Sequence, residues 1–473
     1  MNHPIFYHAP NAKTGDVIPK YIDGTYQLFY LKNWLDRSAP DFVPGWHRMA
    51  SEDLLHMSPE KAIRVVGGTG DLVFHEGQWH LFACIFPDGK QYVTHYISRD
   101  GSLDNWEFQP EDTFGPDGVI YHKSDWRDPR IEYDAEKGEF RMLLAARANE
   151  GHSQTGCVGL CVSKDLKTWE YRQPEYYPRR FNGACECPDI FTVGDWEYLV
   201  FSSYTTLFGN YYVKRRTGTR QWMLPGNHRL DSRGFYAAKT AGHGSERYLF
   251  GWLPTKDENI FGFWPDKFPG KDYRTWDWGG SLVVHRMRQL PDGDLGLCMP
   301  ESRRAHFTHP VEVRMVSGTP GWEETPEGFR ATSEAEQEMA LMQELPERFF
   351  LRAELREENA AQCGVILNTS GDLGRGYYLY VEPARGRLVF RSWLRMYEDG
   401  GKTFPYDVEM EVPVRPDPDG HYLMEILREG TCAAAYVNRE AAMSFRMYDL
   451  QTGNLGLFSL GRAEFANIRL YTD

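Results

Sequence analysis

The 473-residue chain is 41% hydrophobic and 14% aromatic, enough apolar material for two or three packed cores, which excludes global disorder. Its formal charge of -14 opposes a phosphate backbone or an anionic lipid surface, so neither nucleic acid nor membrane is expected as a partner. No stretch approaches membrane-spanning length, the N-terminus has no basic and apolar leader, and the eight cysteines are scattered, all of which suits a reducing cytoplasm.

In chain order the dominant signal is a repeat: an apolar run, a tight turn with glycine before an aromatic, and a second apolar run. The first copy turns at Gly24, before Thr-Tyr-Gln-Leu-Phe-Tyr, the second at Gly77, the third at Gly138 and the fourth at Gly194, with gaps of 53, 61 and 56 residues. Arg247-Tyr-Leu-Phe-Gly-Trp-Leu253 makes a fifth copy that lacks the glycine. A Ser-x-Asp turn followed by a large side chain trails several copies, at Ser51, Ser98 and Ser163. Such a turn fits the bend between the outer strands of a four-stranded blade. Few helical patterns intervene, so the spacing predicts an all-β, five-bladed β-propeller over residues 1–305.

After Pro300 the pattern changes. A linker is expected over 306–319, and from 320 to 473 short alternating runs such as Phe349-Phe-Leu-Arg-Ala-Glu-Leu, Gly376-Tyr-Tyr-Leu-Tyr-Val and Tyr422-Leu-Met-Glu-Ile-Leu predict a C-terminal β-sandwich.

Counting backwards from the turn glycines locates the chemistry. Asp16 precedes Gly24 by eight residues, Asp128 precedes Gly138 by ten, and Glu186 precedes Gly194 by eight. Each acid therefore stands at the start of the first strand of its unit, near Pro19, Pro129 or Pro188, and first strands line the channel of a propeller. Converging carboxylates raise one another's pKa, the arrangement that glycoside hydrolysis uses: one protonated acid for the leaving oxygen, one ionised partner for the anomeric carbon. Arg127, next to Asp128, is expected to hold that carboxylate ionised or to bind a sugar hydroxyl, with a surface salt bridge as the alternative. Trp34, Trp46 and Tyr236 are candidate sugar platforms, with blade packing as the alternative. Cys185 and Cys187 flank Glu186 but lack zinc-ligand spacing, and strand alternation turns them away from it, so packing is their expected task. Gly67-Gly-Thr-Gly70 lacks the helix and Lys-Ser or Lys-Thr of a phosphate loop and reads as a turn. No metal and no cofactor is expected.

Trp126-Arg127-Asp128-Pro129 and Glu186-Cys187-Pro188-Asp189 resemble the Arg-Asp-Pro and Glu-Cys-Pro motifs of glycoside hydrolase family 32, the invertase and fructanase family. Gly45-Trp46-His47 with Ser51-Glu-Asp-Leu-Leu-His56, Phe235-Tyr236-Ala237, Gly251-Trp252-Leu253 and Gly279-Gly-Ser-Leu-Val-Val-His-Arg286 are similar to further stretches of that family, and His47 joins the substrate-binding candidates on this ground. The resemblance implies a propeller followed by a sandwich, with Asp16 as nucleophile, Glu186 as general acid/base and Asp128 as stabiliser of the transition state in a retaining double displacement. Two motifs depart from the family. Its Asn-Asp-Pro-Asn-Gly is Gly15-Asp16-Val17-Ile18-Pro19 here, and its Phe-Ser-Gly-Ser is replaced by Gly67-Gly68-Thr69-Gly70-Asp71. Asp71 is a candidate for a replacement hydroxyl contact, with a plain turn residue as the alternative. The expected activity is hydrolysis of a terminal β-fructofuranosyl residue from a short fructose-containing oligosaccharide. Fructosyl transfer, action on another furanoside such as an arabinofuranoside, and a propeller that binds sugar without turnover are the alternatives. The sequence leaves the oligomeric state open, a homo-oligomer included.

Overall fold

The computed structural model describes residues 4–205, 208–256, 272, 276–392 and 410–473. Among these, twenty strands form five antiparallel four-stranded blades. Blade 1 opens with inner strand Ala12–Ile22, blade 2 with Gly70–His75, blade 3 with Tyr121–Asp134, blade 4 with Glu186–Val193 and blade 5 with Tyr236–His243. Each inner strand returns through a hairpin, and the short turns explain the repeat. Asp23-Gly24 and Glu76-Gly77 link their strands as two-residue loops with both residues at positive φ (47° and 83°, 47° and 80°), the geometry that matches strand twist and that glycine adopts without strain.

The Ser-x-Asp turns sit where expected, after the third strand of blades 1, 2 and 3. Ser51 Oγ accepts from the Leu54 amide at 2.8 Å and Ser163 Oγ from the Leu166 amide at 2.9 Å, while Asp53, Asp100 and Asp165 accept from amides further round each bend. Blades 5 and 1 meet edge to edge at Thr14 and Gly280, and the Leu282 amide donates to the Tyr7 carbonyl at 2.8 Å, so the chain's beginning seals the ring.

The second domain is two stacked antiparallel sheets around one apolar core that includes Phe349, Leu351, Val365, Leu379, Phe390, Ile426 and Phe445. It begins earlier than the sequence suggested. Within 306–319, expected as a linker, His309–Val311 pairs with Ala463–Thr472 in one sheet and Met315–Gly318 pairs with Gln337–Glu344 in the other. Both runs are too short to show periodicity, and only their partners make them strands.

The two domains share an apolar interface in which Phe235, Leu253 and Leu297 of the propeller pack with Phe350, Leu427 and Tyr436 of the sandwich. Polar ties cross it as well. Asp231 Oδ2 accepts from His285 at 2.8 Å and from the Ser444 hydroxyl at 2.6 Å, and Arg446 donates to the Leu253 and Pro254 carbonyls at 3.0 and 2.7 Å. All eight cysteines are buried and unpaired with one another. No described helix is long and apolar enough to cross a membrane.

Candidate active site

Four of the five inner strands carry the same irregularity. In blade 1 Gly15 pairs with Leu31 and Ile18 with Phe29, so three steps on the inner strand match two on its neighbour. The same slip separates Arg127 from Arg130 in blade 3, Glu186 from Asp189 in blade 4, and Tyr236 from Lys239 in blade 5. Each is a β-bulge, and a bulge re-aims side chains that simple alternation would send to opposite faces. In three of the four, the residue after the slip begins has a positive φ: Asp128 at 57°, Cys187 at 49° and Ala237 at 54°. Non-glycine residues held in this region cost about 1–3 kcal/mol each, and such strain concentrates at functional sites. Pro129 and Pro188 occupy the unpaired position of their bulges, where a missing N–H costs no ladder bond.

The bulges bring consecutive residues into one cavity of about 640 Å³ at the start of the inner strands, lined by Asp16, Asp128 and Glu186 together with Arg127, Cys187, Tyr236 and Ala237. Asp16 and Asp128 hold the same bulge position, whereas Glu186 stands one residue earlier, in register with Arg127 and Tyr236. Those two are accordingly its partners. Arg127 Nη2 donates to Glu186 Oε1 at 2.9 Å and the Tyr236 hydroxyl donates to Oε2 at 2.5 Å. Asp16 Oδ1 accepts from the Trp252 indole at 3.0 Å, and Asp128 Oδ2 from the Cys187 amide at 2.9 Å. Arg127 also pairs with Asp125 and approaches Asp128 to 4.0 Å, with Gln91 bracing its Nη1 at 3.1 Å.

One guanidinium thus serves three carboxylates, Asp125, Asp128 and Glu186, with Asp16 beside them, and the charge imbalance sets their proton affinities. Burial, then the negative charges of Asp128 and Glu186, push Asp16 up to about 7 against the opposing Trp252 hydrogen bond. Burial also raises Glu186, with Asp128 adding to the rise while Arg127 and Tyr236 offset part of it. Burial would raise Asp125 too, but Arg127 and Arg147 outweigh it and hold that carboxyl below its ordinary value. The arrangement gives a carboxylic acid inclined to keep its proton beside a carboxylate steadied by a fixed donor, the pairing that acid-assisted displacement requires.

Of the residues singled out from sequence, the structure brings Asp16, Asp128, Glu186, Arg127 and Tyr236 together. It does not bring Asp71, Trp34, Trp46 or His47 to the cavity. Asp71 lies deeper in the channel, where Lys20 contacts it at 2.7 Å and Arg130 at 2.9 Å; blade 2 has no bulge, so its inner strand keeps regular register and Asp71 stays below the site. Trp46 is fully buried between blades 1 and 2, its indole donating to the Gly68 carbonyl at 3.0 Å. Trp34 packs on Phe42 and under the Lys32 ammonium, and His47 is buried against Tyr30 and Trp34. Cys187, expected to point away, lines the cavity because the bulge breaks the alternation, while Cys185 packs with Val158, Ile190 and Phe201 as expected.

Sequence reasoning missed Thr69, Phe86, Gln91, Asp125, Tyr204, Phe208, Trp276, Asp277 and Trp278. Thr69 is buried and its hydroxyl has no hydrogen-bond partner among the described residues. Trp278 explains the altered first motif. Its ring lies so close to Gly15 that a Cβ there would fall 2.2 Å from it; the glycine makes room for the indole beside Asp16. Asp125 directly precedes the motif Trp126-Arg127-Asp128-Pro129 and Trp252 lies within Gly251-Trp252-Leu253, but nothing in the sequence joins residues 86, 204 and 278 to one another.

Residues 113–264, which include the inner strands of blades 3, 4 and 5, match the Glycosyl hydrolases family 32 N-terminal domain. A sucrose-6-phosphate hydrolase from Vibrio alginolyticus is 22% identical over 58% of this chain and 58% of its own length. A levanbiose-producing levanase from Bacillus subtilis is 24% identical over 56% of this chain and 46% of its own. The chain thus spans about half the length of these curated relatives. The exo-inulinase from Aspergillus awamori superposes with a TM-score of 0.70 at 15% identity, covering 99% of this chain and 97% of that one, which shows the shared propeller-and-sandwich fold. The strands that carry Asp128 and Glu186 thus lie inside a segment similar to the glycosyl hydrolases family 32 N-terminal domain, and the fold of both domains is shared with the exo-inulinase.

Proposed function

We propose that the chain hydrolyses a terminal β-fructofuranosyl residue from a short fructose-containing oligosaccharide, with retention at the anomeric carbon. The observation that carries this reading is the convergence of Asp16, Asp128 and Glu186 in a single cavity under one guanidinium, with both Asp16 and Glu186 displaced upward in proton affinity. The names of the relatives, a sucrose-6-phosphate hydrolase, a levanase and an exo-inulinase, supply the fructose-containing substrate class.

In the proposed cycle the Glu186 carboxylic acid gives its proton to the glycosidic oxygen while an Asp16 carboxylate oxygen bonds to the anomeric carbon, and the bond to the leaving group breaks. Glu186, now ionised, takes a proton from water, whose oxygen displaces Asp16 and restores both groups. The proton distribution favours this order. When Glu186 holds the proton, one of the charges raising Asp16 is removed, so the state with protonated Glu186 and ionised Asp16 relieves the repulsion between them. Asp128, fixed by the Cys187 amide, is in position to hold ring hydroxyls as charge develops on the sugar.

Asp16→Asn and Glu186→Gln test the assignment. Release of reducing sugar from sucrose and from inulin- and levan-type oligosaccharides is expected to fall roughly 10⁴-fold or more in each variant, with circular dichroism unchanged. Undiminished hydrolysis in either one removes it.

A further inference from the structure

A second groove, of about 440 Å³, lies on the side of the propeller away from the catalytic cavity. The catalytic acids sit six or seven residues before the end of their inner strands, whereas this groove is bordered by Val193, the last residue of the blade 4 inner strand, and Ser245, in the turn after that of blade 5. It opens between the domains. Arg286 and Arg288 come from the third strand of blade 5, Arg304 from the helix Glu301–His306, Glu425 from the sandwich strand His421–Glu429, and Arg439 from the turn that follows Cys432–Val437.

Its charge runs against the rest of the molecule. In a chain with a net charge of -14, four guanidiniums face this groove with only Glu301 and Glu425 as carboxylates. Arg304 pairs with Glu301, but Arg286 and Arg288 make no ion pair among the described residues. Holding like charges together without counter-charges is unfavourable, and a planar guanidinium is the side chain best shaped to grip phosphate oxygens in pairs.

Glu425 adds a second requirement. It is 2% exposed, and its Oε1 has no hydrogen-bond partner; Arg304 and Arg439 approach its two oxygens only to 3.6 and 3.7 Å, beyond hydrogen-bonding reach. A buried carboxylate oxygen left unsatisfied costs about 1–3 kcal/mol or more, and a donor in the groove removes that cost. The occupant that meets both demands carries an anionic group for the arginines and a hydroxyl for Glu425. The groove is much larger than a bare phosphate and falls within the roughly 300–1,000 Å³ range of small-molecule pockets, which favour domain interfaces.

We propose that this groove binds a phosphorylated monosaccharide, its phosphate on Arg286, Arg288 and Arg439 and one of its hydroxyls donating to Glu425. Because both domains supply contacts, an occupied groove clamps the sandwich to blade 5.

Isothermal titration of the full chain with fructose 6-phosphate, glucose 6-phosphate, inorganic phosphate and fructose tests the assignment. At least one sugar phosphate is expected to bind ten times more tightly than inorganic phosphate, and fructose to bind without sensitivity to the arginines. Arg286→Ala and Arg439→Ala, both at positions reached by solvent, are each expected to weaken the sugar phosphate about tenfold or more. Glu425→Gln is expected to narrow the preference for sugar phosphate over inorganic phosphate; if that variant does not fold, the arginine variants still decide. Sugar phosphates that bind no better than inorganic phosphate, or that bind the arginine variants as tightly as the parent chain, overturn the proposal, the second result placing them elsewhere, as in the catalytic cavity.

Discussion

Two tiers of the propeller channel, built on the same inner strands two to four residues apart, treat their carboxylates in opposite ways. In the upper tier Asp125, Asp128 and Glu186 share Arg127, and Asp16 beside them is pushed up to about 7. In the lower tier Asp71 and Asp189 meet Lys20 and Arg130; burial would raise Asp71, but these cations hold it at about 2. Asp189 is likewise kept below its ordinary value, with Thr240 donating to it through both its amide and its hydroxyl at 2.7 and 2.6 Å. Both tiers are buried, so desolvation is common to them. What differs is the ratio of cations to anions, which makes the lower tier a brace and leaves protons exchangeable in the upper one.

The comparison can be broken most severely from below. Replacing Asp189 by Asn leaves Arg130 short of a partner it now holds at 2.6 Å, and a loss of about 3–5 kcal/mol of stability is expected, read as a lower urea midpoint. A midpoint equal to that of the parent chain refutes the brace. Asp16→Asn is expected to act in the other direction. An acid whose folded pKa is raised takes stability away as it ionises, so the cost is absent below the unfolded value near 3.8, grows between there and about 7, and is complete above. The variant is therefore expected to match the parent chain at pH 4 and exceed it at pH 8, by on the order of 4 kcal/mol. Asp71 follows the opposite sign, its contribution being complete above 3.8 and lost as pH falls towards 2. Equal stabilities for Asp16→Asn and parent at pH 8 remove the upper tier's stored repulsion. The smallest effect sharpens the contrast within the site. Trp252→Phe deletes the indole donor that favours ionised Asp16, so its pKa rises and the acidic limb of kcat/KM moves to higher pH, by about half a unit to one unit. An unmoved limb shows that Asp16 does not govern it.

The repeat was legible because turn glycines are forced by backbone geometry and mark every inner hairpin, the fifth included: Gly244, at φ 57°, follows its inner strand directly as Gly194 does, although the sequence reading gave that copy no glycine. Counting from them found Asp16, Asp128 and Glu186. It did not reveal that Glu186 sits one position out of step, since bulges carry no reliable sequence mark: Asp128, Cys187 and Ala237 share a positive φ but no residue type. The same blindness misplaced Cys187, whose expected orientation rested on unbroken alternation. Asp71 was misjudged because a carboxylate next to glycines looks alike whether it meets a sugar or a lysine, and its partners Lys20 and Arg130 lie 51 and 59 residues away in the chain. Trp46 was matched to a motif, yet the motif's tryptophan serves the packing between blades, and Trp34, a candidate sugar platform, packs on Phe42. The arginine groove was invisible for the same reason as the rim of the cavity: its members are drawn from two domains and acquire a common environment only after folding.

The contact between Gly15 and Trp278 ties two positions into a single heritable unit. Any larger residue at 15 collides with an indole on the far side of the ring closure, and any smaller residue at 278 leaves a hollow beside Asp16 that Gly15 has no atoms to fill. Exchange at one position alone passes through a damaged intermediate. Homologues are therefore expected to change the two together, and a chain bearing glycine at the first and tryptophan at the second forms a recognisable branch of its own.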